Sequence, residues 1–172
     1  MVRISGGDKA NDEFGLYRTT FRVPDDWAGQ DVFLQTDGVQ FGYRVWVDGA
    51  FVGEWTSSFN RKVWPIAVGP STHTLALQTL NRPKGWGFDT NDDWTLSGIF
   101  RSVTVYARPK IRLDDHTLTT RVAADGSATV TVVAAVKGAA SEVVLTLADK
   151  TASARIVDGR AQLTLALGKV AL

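Results

Sequence analysis

Cysteine is absent from the 172 residues, which excludes a disulfide framework, a thiolate metal site and a thiol nucleophile. Glutamate is scarce, with Glu13, Glu54 and Glu142 standing against fifteen aspartates. These three are scattered among turn and strand positions where acidic groups are normally solvated, so they form no catalytic pair of carboxyl groups. The two histidines, His73 and His116, each lack a second ligand at metal-binding spacing. Ser97 lies in Leu-Ser-Gly-Ile, which is not a nucleophile elbow. No catalytic residue, metal site or cofactor is assigned.

Strong charge of one sign is also missing. Nineteen basic against eighteen acidic residues give a net charge of +1, and no Lys/Arg run forms a patch, so neither nucleic acid nor an anionic membrane is an expected partner. No apolar run approaches the roughly 20 residues that cross a bilayer as a helix, and MVRISGGDKANDEF lacks the apolar centre of a signal peptide. A soluble protein is expected. Its compartment stays open: cytoplasmic, or periplasmic or secreted if a leader preceded the sequence.

What is present is β pattern. Apolar and polar residues alternate at period 2 in short segments broken by turn pairs, and helical spacing is nowhere sustained. Tyr43 to Val47, Asp48-Gly49 and Phe51 to Trp55 read as a hairpin whose turn needs positive φ; Asp125-Gly126 and Asp158-Gly159 repeat the device. Further strands are predicted over Leu16 to Val23, Asp31 to Thr36, His73 to Leu80, Ile99 to Ala107, Thr117 to Ala123, Ala128 to Val136, Glu142 to Leu147 and Ala161 to Leu167. One compositional break divides the chain. All six Trp, eight Phe and three Tyr lie at or before Tyr106, and Arg108-Pro109-Lys110 supplies a linker. Two domains are therefore expected, 1–108 and 109–172. The first yields roughly eight strands, enough for a jelly-roll β-sandwich. The second has about five, short of the roughly seven of an immunoglobulin-like sandwich, and is expected to be incomplete. Its uncovered edges would pair with a partner chain, and a homo-oligomer is one way to cover them.

The stretch Gly87 to Arg101, GFDTNDDWTLSGIFR, concentrates the groups of a sugar site. Carboxylates and amides bond hydroxyls, sugar rings lie on aromatic faces, and loops at strand ends are where binding residues are commonly placed. Asp89, Asn91, Asp92, Asp93 and Trp94 are the candidate substrate contacts, with Trp86 and Phe88 in the same loop. Asp and Asn also brace turns by bonding their own backbone, and both roles stay open for each. A calcium loop is the less favoured alternative, since the Asp-x-Asx-x-Asx-Gly pattern is missing.

Leu16-Tyr17-Arg18, the Val45-Trp46-Val47-Asp48-Gly49 hairpin with Phe51-Val52-Gly53, and above all Asp92-Asp93-Trp94-Thr95-Leu96-Ser97-Gly98-Ile99-Phe100-Arg101 resemble glycoside hydrolase family 2, and within it bacterial β-galactosidases. Gly15 to Pro109 resembles the family's sugar-binding, galactose-binding-like jelly roll; Lys110 to Leu172 resembles the opening strands of its immunoglobulin-like domain. The resemblance implies retaining hydrolysis of a β-linked sugar, a galactoside favoured. It puts the two catalytic glutamates on a (β/α)₈ barrel that this sequence does not contain. It implies a substrate-contacting carboxylate at Asp92, with Asp93 standing where β-galactosidases often carry an apolar residue. More chain is implied before Gly15, so both ends are expected to be trimmed. The rivals are a free-standing carbohydrate-binding module and a structural adhesion or scaffold sandwich.

Overall fold

In the computed structural model the described residues are 2–4, 14–81, 83, 87, 97–169, and they divide into two compact units, Met1–Arg108 and Pro109–Leu172. Strands dominate the described residues of both, with a short 3₁₀ turn at Asp25–Trp27. Among the described residues no helix is long and apolar enough to cross a membrane.

The first unit is a jelly-roll sandwich built from β1 (Val2–Ile4), β2 (Phe14–Val23), β3 (Asp31–Thr36), β4 (Val39–Gln40), β5 (Gly42–Val47), β6 (Ala50–Trp55), β7 (Lys62–Ile66), β8 (Ser71–Leu80), β9 (Gly98–Ile99) and β10 (Val103–Arg108). A five-stranded sheet, β1-β2-β8-β5-β6, faces a three-stranded one, β10-β3-β7, while β4 and β9 pair separately. The period-2 pattern explains the core. Val32, Leu34 and Thr36 of β3, Tyr43, Val45 and Val47 of β5, and Leu75, Leu77 and Thr79 of β8 are buried at alternate positions and enclose Trp64.

Gly53 has a packing reason. A Cβ there would lie 2.3 Å from Cζ3 of the buried Trp64, so Gly53→Ala forces the indole aside. It is expected to cost about 1–3 kcal/mol, as overpacked cores do, read as a lower denaturant midpoint at unchanged slope.

The Asp48-Gly49 turn forms as its residue types require, with φ of 50° and 80°. It also anchors a charged pair. Asp48 Oδ1 accepts from the Thr74 N–H at 2.8 Å and its Oδ2 lies 2.6 Å from His73 Nδ1, while His73 Nε2 lies 2.8 Å from the Gly69 carbonyl oxygen. Both imidazole nitrogens face acceptors, so only the imidazolium satisfies both bonds. The Asp48 bond, then the Gly69 bond, raise the His73 pKa above 6.5; the Thr74 N–H, then His73, lower that of Asp48. For His73 the folded value exceeds the unfolded one, so its contribution is complete below the unfolded pKa and is lost as pH rises through the folded value. For Asp48 the contribution is present above the unfolded carboxylate pKa and fades as pH falls through the depressed one. Thermal melts are expected to show highest stability between about pH 4 and 6.5, with an alkaline decline that Asp48→Asn weakens, the Gly69 bond remaining.

The second unit contains β11 (Arg112–Val122), β12 (Ser127–Lys137), β13 (Glu142–Leu147), β14 (Lys150–Arg155) and β15 (Arg160–Lys169). It is a partial immunoglobulin-like sandwich in which the sheet β11-β12-β15 is joined by a β13-β14 hairpin. With no aromatics available, its core is Ala128, Val130, Val132, Ala134, Ala161, Leu163 and Leu165. Leu118 and Val122 on β11 stay exposed.

Three sequence expectations need correction. The predicted strand Ile99 to Ala107 is two strands, because Phe100 to Ser102 leaves the ladder to turn around Gly38. The first unit has ten described strands where roughly eight were expected, since β1, β4 and β7 carry little alternating signal. Glu54 is not merely solvated: it accepts from Arg44 Nε across the hairpin at 2.6 Å.

Candidate functional site

The acidic loop leaves the sandwich at Leu80 and returns at Gly98. Both stems are fixed by the same neighbour, the segment Val39–Gly42. On the outgoing side, the Phe41 N–H donates to the Leu80 carbonyl at 3.3 Å. Buried Pro83 packs on Gly42, where an added Cβ would lie 3.0 Å from Pro83 Cγ. On the return side, Val39 and Gln40 pair with Ile99 and Gly98. Gly98 has a φ of 135°, and a Cβ there would stand 3.1 Å from the Tyr17 hydroxyl, so both backbone and space call for glycine.

The run then turns against Gly38. The Phe100 and Arg101 N–H groups both point at the Gly38 carbonyl, at 3.4 and 3.3 Å, and the Asp37 N–H donates to Ser102 at 3.0 Å. A side chain at position 38 would come within 2.7 Å of the Phe100 ring. Phe100 is thereby held on the surface, 45% exposed beside Phe59 at 43%, their ring centroids 5.8 Å apart. The Arg101 guanidinium lies 5.3 Å from the Phe100 centroid. Asp37 accepts from Arg61 Nε at 3.1 Å and from Gln35 Nε2 at 2.8 Å. The stems are thus flanked by an aromatic pair and a charged network drawn from three separate segments.

Asp89, Asn91, Asp92, Asp93 and Trp94, with Trp86 and Phe88, lie outside the described residues. Gly87, between Trp86 and Phe88, and Ser97, beyond Trp94, are exposed. Phe59, Arg61 and Asp37 were not among the sequence candidates. The available signals were the Asp37-Gly38 turn pair and an aromatic in the polar run Ser57 to Arg61. Among the described residues no group of three His, Asp or Glu could hold a metal ion.

Chemically, the frame fixes the two ends of a polar segment. Carboxylates and amides carried on stems tied to a packed sandwich start closer to a fixed geometry than the same groups on a free segment. Such an arrangement defines a β-sandwich whose acidic segment leaves and returns beside an aromatic pair. The comparisons identify the family. The model for the sugar binding domain of glycosyl hydrolases family 2 matches residues 6–109, and the chain belongs to that family. It is 35% identical over 115 residues to a β-galactosidase of Pectobacterium atrosepticum, covering 64% of this chain and 11% of that protein. It is 29% identical over 106 residues to a β-galactosidase of Priestia megaterium, covering 60% and 10%. The chain thus spans about a tenth of the length of these curated relatives. A solved putative β-galactosidase from Bacteroides fragilis shares the fold over 99% of this chain and 29% of its own, with a TM-score of 0.69 at 20% identity. A Bifidobacterium dentium β-glucuronidase does so over 91% and 34%, with a TM-score of 0.71 at 17% identity.

Proposed function

We propose that this chain is the non-catalytic N-terminal part of a family 2 glycosidase that hydrolyses β-galactosides with retention, and that residues 1–108 serve as its sugar-binding domain. In this reading the loop aims a carboxylate, Asp92 or its neighbour Asp93, at a substrate hydroxyl in a pocket completed by a (β/α)₈ barrel carried elsewhere. Asp89, Asn91 and Trp94 supply further contacts or brace the loop. Residues 109–172 are the opening of the immunoglobulin-like domain that spaces sandwich from barrel.

The observation that carries the proposal is the family match over 6–109, which ends beyond the Asp92–Arg101 run. The anchored stems at Leu80 and Gly98 support an orienting role, because a carboxylate contributes to catalysis only if it is already in place when the transition state forms. The test is the coding region downstream of Leu172. It is expected to encode a barrel with two glutamates; a natural stop codon there, with no barrel in the same operon, would contradict the proposal.

A free-standing carbohydrate-binding module is the second reading, favoured by the exposed Phe59 and Phe100 beside the loop. Calorimetry with galactosides, glucosides and glucuronides separates the two. An isolated accessory domain should bind free sugar only weakly because most of its pocket is elsewhere. A lectin-like module should saturate, and should lose binding in Asp92→Ala.

A further inference from the structure

The β5–β6 hairpin carries a group of outward side chains that the acidic segment does not use. Tyr43, Val45 and Val47 are buried in the core, so Arg44 and Trp46 stand on the outer face of β5. On β6, Phe51 and Glu54 are three residues apart, and a regular strand would send them to opposite faces. A bulge at Val52 prevents this. The register steps from Val45 opposite Gly53 to Trp46 opposite Phe51, and the extra residue returns Phe51 to the side of Glu54. Phe51 therefore faces Trp46, with ring centroids 5.5 Å apart and an interplanar angle of 54°. Glu54 faces Arg44, with Nε and Oε2 2.6 Å apart. On the neighbouring β8, Ala76 lies opposite Trp46 and Gln78 opposite Arg44, so a methyl group flanks the indole and an amide extends the polar row.

We infer that this array binds a neutral saccharide of its own, independently of the acidic segment. Cross-strand pairing accounts for Trp46 against Phe51, but it leaves the Phe51 ring 60% exposed with a charged pair built beside it. The apolar face of a pyranose lies on aromatic rings, and its hydroxyls both donate and accept. Among the described residues the ion pair engages only Arg44 Nε and one Glu54 oxygen, so terminal guanidinium donors and the second carboxylate oxygen remain for adjacent hydroxyls. The two charges cancel, which suits an uncharged sugar and gives no attraction to an anionic one. Two rings and one ion pair match the footprint of one or two sugar residues, far below the about 800 Å² that each partner buries in a stable protein interface. Trp46 stands four residues along β5 from Gly42, where the outgoing stem of the acidic segment is held, about 13 Å at the rise of a strand. Binding here needs nothing from that segment.

The test is nuclear magnetic resonance titration of the isotope-labelled 172-residue chain with a β-linked galactotetraose, and with tetragalacturonate as the anionic control. The Trp46 indole N–H and Arg44 Nε–H resonances should shift saturably with the neutral sugar, at roughly the millimolar affinity of a small contact. The anionic control should leave them in place. Phe51→Ala removes one ring, and Glu54→Gln keeps the shape while removing the ion pair. Each should weaken binding about fivefold or more, in variants whose other amide resonances hold their positions. No saturable shift by about 50 mM sugar would overturn the inference. So would an equal response to tetragalacturonate, or full binding in both variants, which would leave the array as hairpin packing alone. Loss of the shifts in Asp92→Ala would also overturn it, placing the sugar at the acidic segment and leaving the role proposed there intact.

Discussion

Tyr43→Ala is expected to bring the first unit close to unfolding under native conditions. Tyr43 is 1% exposed, stands edge-on to Trp64 with centroids 6.5 Å apart, and shares a short hydrogen bond with Thr36 Oγ1. Its burial raises the phenol pKa, with the Thr36 bond opposing. Truncating a buried aromatic costs about 3–5 kcal/mol through lost transfer energy and cavity formation. The Thr36 hydroxyl, itself 1% exposed, keeps only a 3.4 Å contact to the Lys62 carbonyl. An under-satisfied buried group adds about 1–3 kcal/mol. Against a total of about 5–15 kcal/mol for a domain, the sum leaves little. Tyr43→Phe should cost only the hydroxyl part, and Thr36→Val in that background should restore much of it, since both polar partners are then gone. Urea unfolding followed by tryptophan fluorescence reads this selectively, because every Trp lies in the first unit.

Asp92→Ala, made in the longer enzyme proposed above, is expected to lower kcat/KM for a β-galactoside by roughly 10- to 150-fold. That range follows from a charge-assisted hydrogen bond of about 1.5–3 kcal/mol and tenfold per about 1.4 kcal/mol. The pH profile should keep its limbs, because the proton-transferring groups would belong to the barrel. Asp93→Ala should fall less. The opposite ranking would move the contact to Asp93 while keeping the frame. If Asp92 were only a turn brace, the substitution would lower Tm and leave kcat/KM within about twofold for the folded fraction.

Much of the fold was legible because hairpin chemistry and period-2 burial are local. Asp31–Thr36 and Glu142–Leu147 have the bounds read from sequence, and Asp48-Gly49 and Asp158-Gly159 take the positive φ that their residue types favour. What was missed depended on distant pairing. Lys62–Ile66 contains Pro65, which argues against a ladder strand. It is tolerated because β7 is the outer strand of its sheet and needs donors on one side only. Lys150–Arg155 has no large apolar residue to mark it. The loop's ends at Leu80 and Gly98 were visible as a change of periodicity. The aromatic and charged neighbours at Phe59 and Arg61 were not, because they reach the site through the β4–β9 pairing and the turn at Gly38, and neither has a local signature.

In the proposed role this chain positions substrate without catalysing. The most direct measurement is hydrolysis of a nitrophenyl β-galactoside by the purified 172-residue chain, alone and together with the polypeptide encoded downstream of Leu172. No turnover is expected from the chain alone, and turnover when the downstream polypeptide is present. Hydrolysis by the chain alone, abolished by substituting one of its own carboxylates, would contradict it.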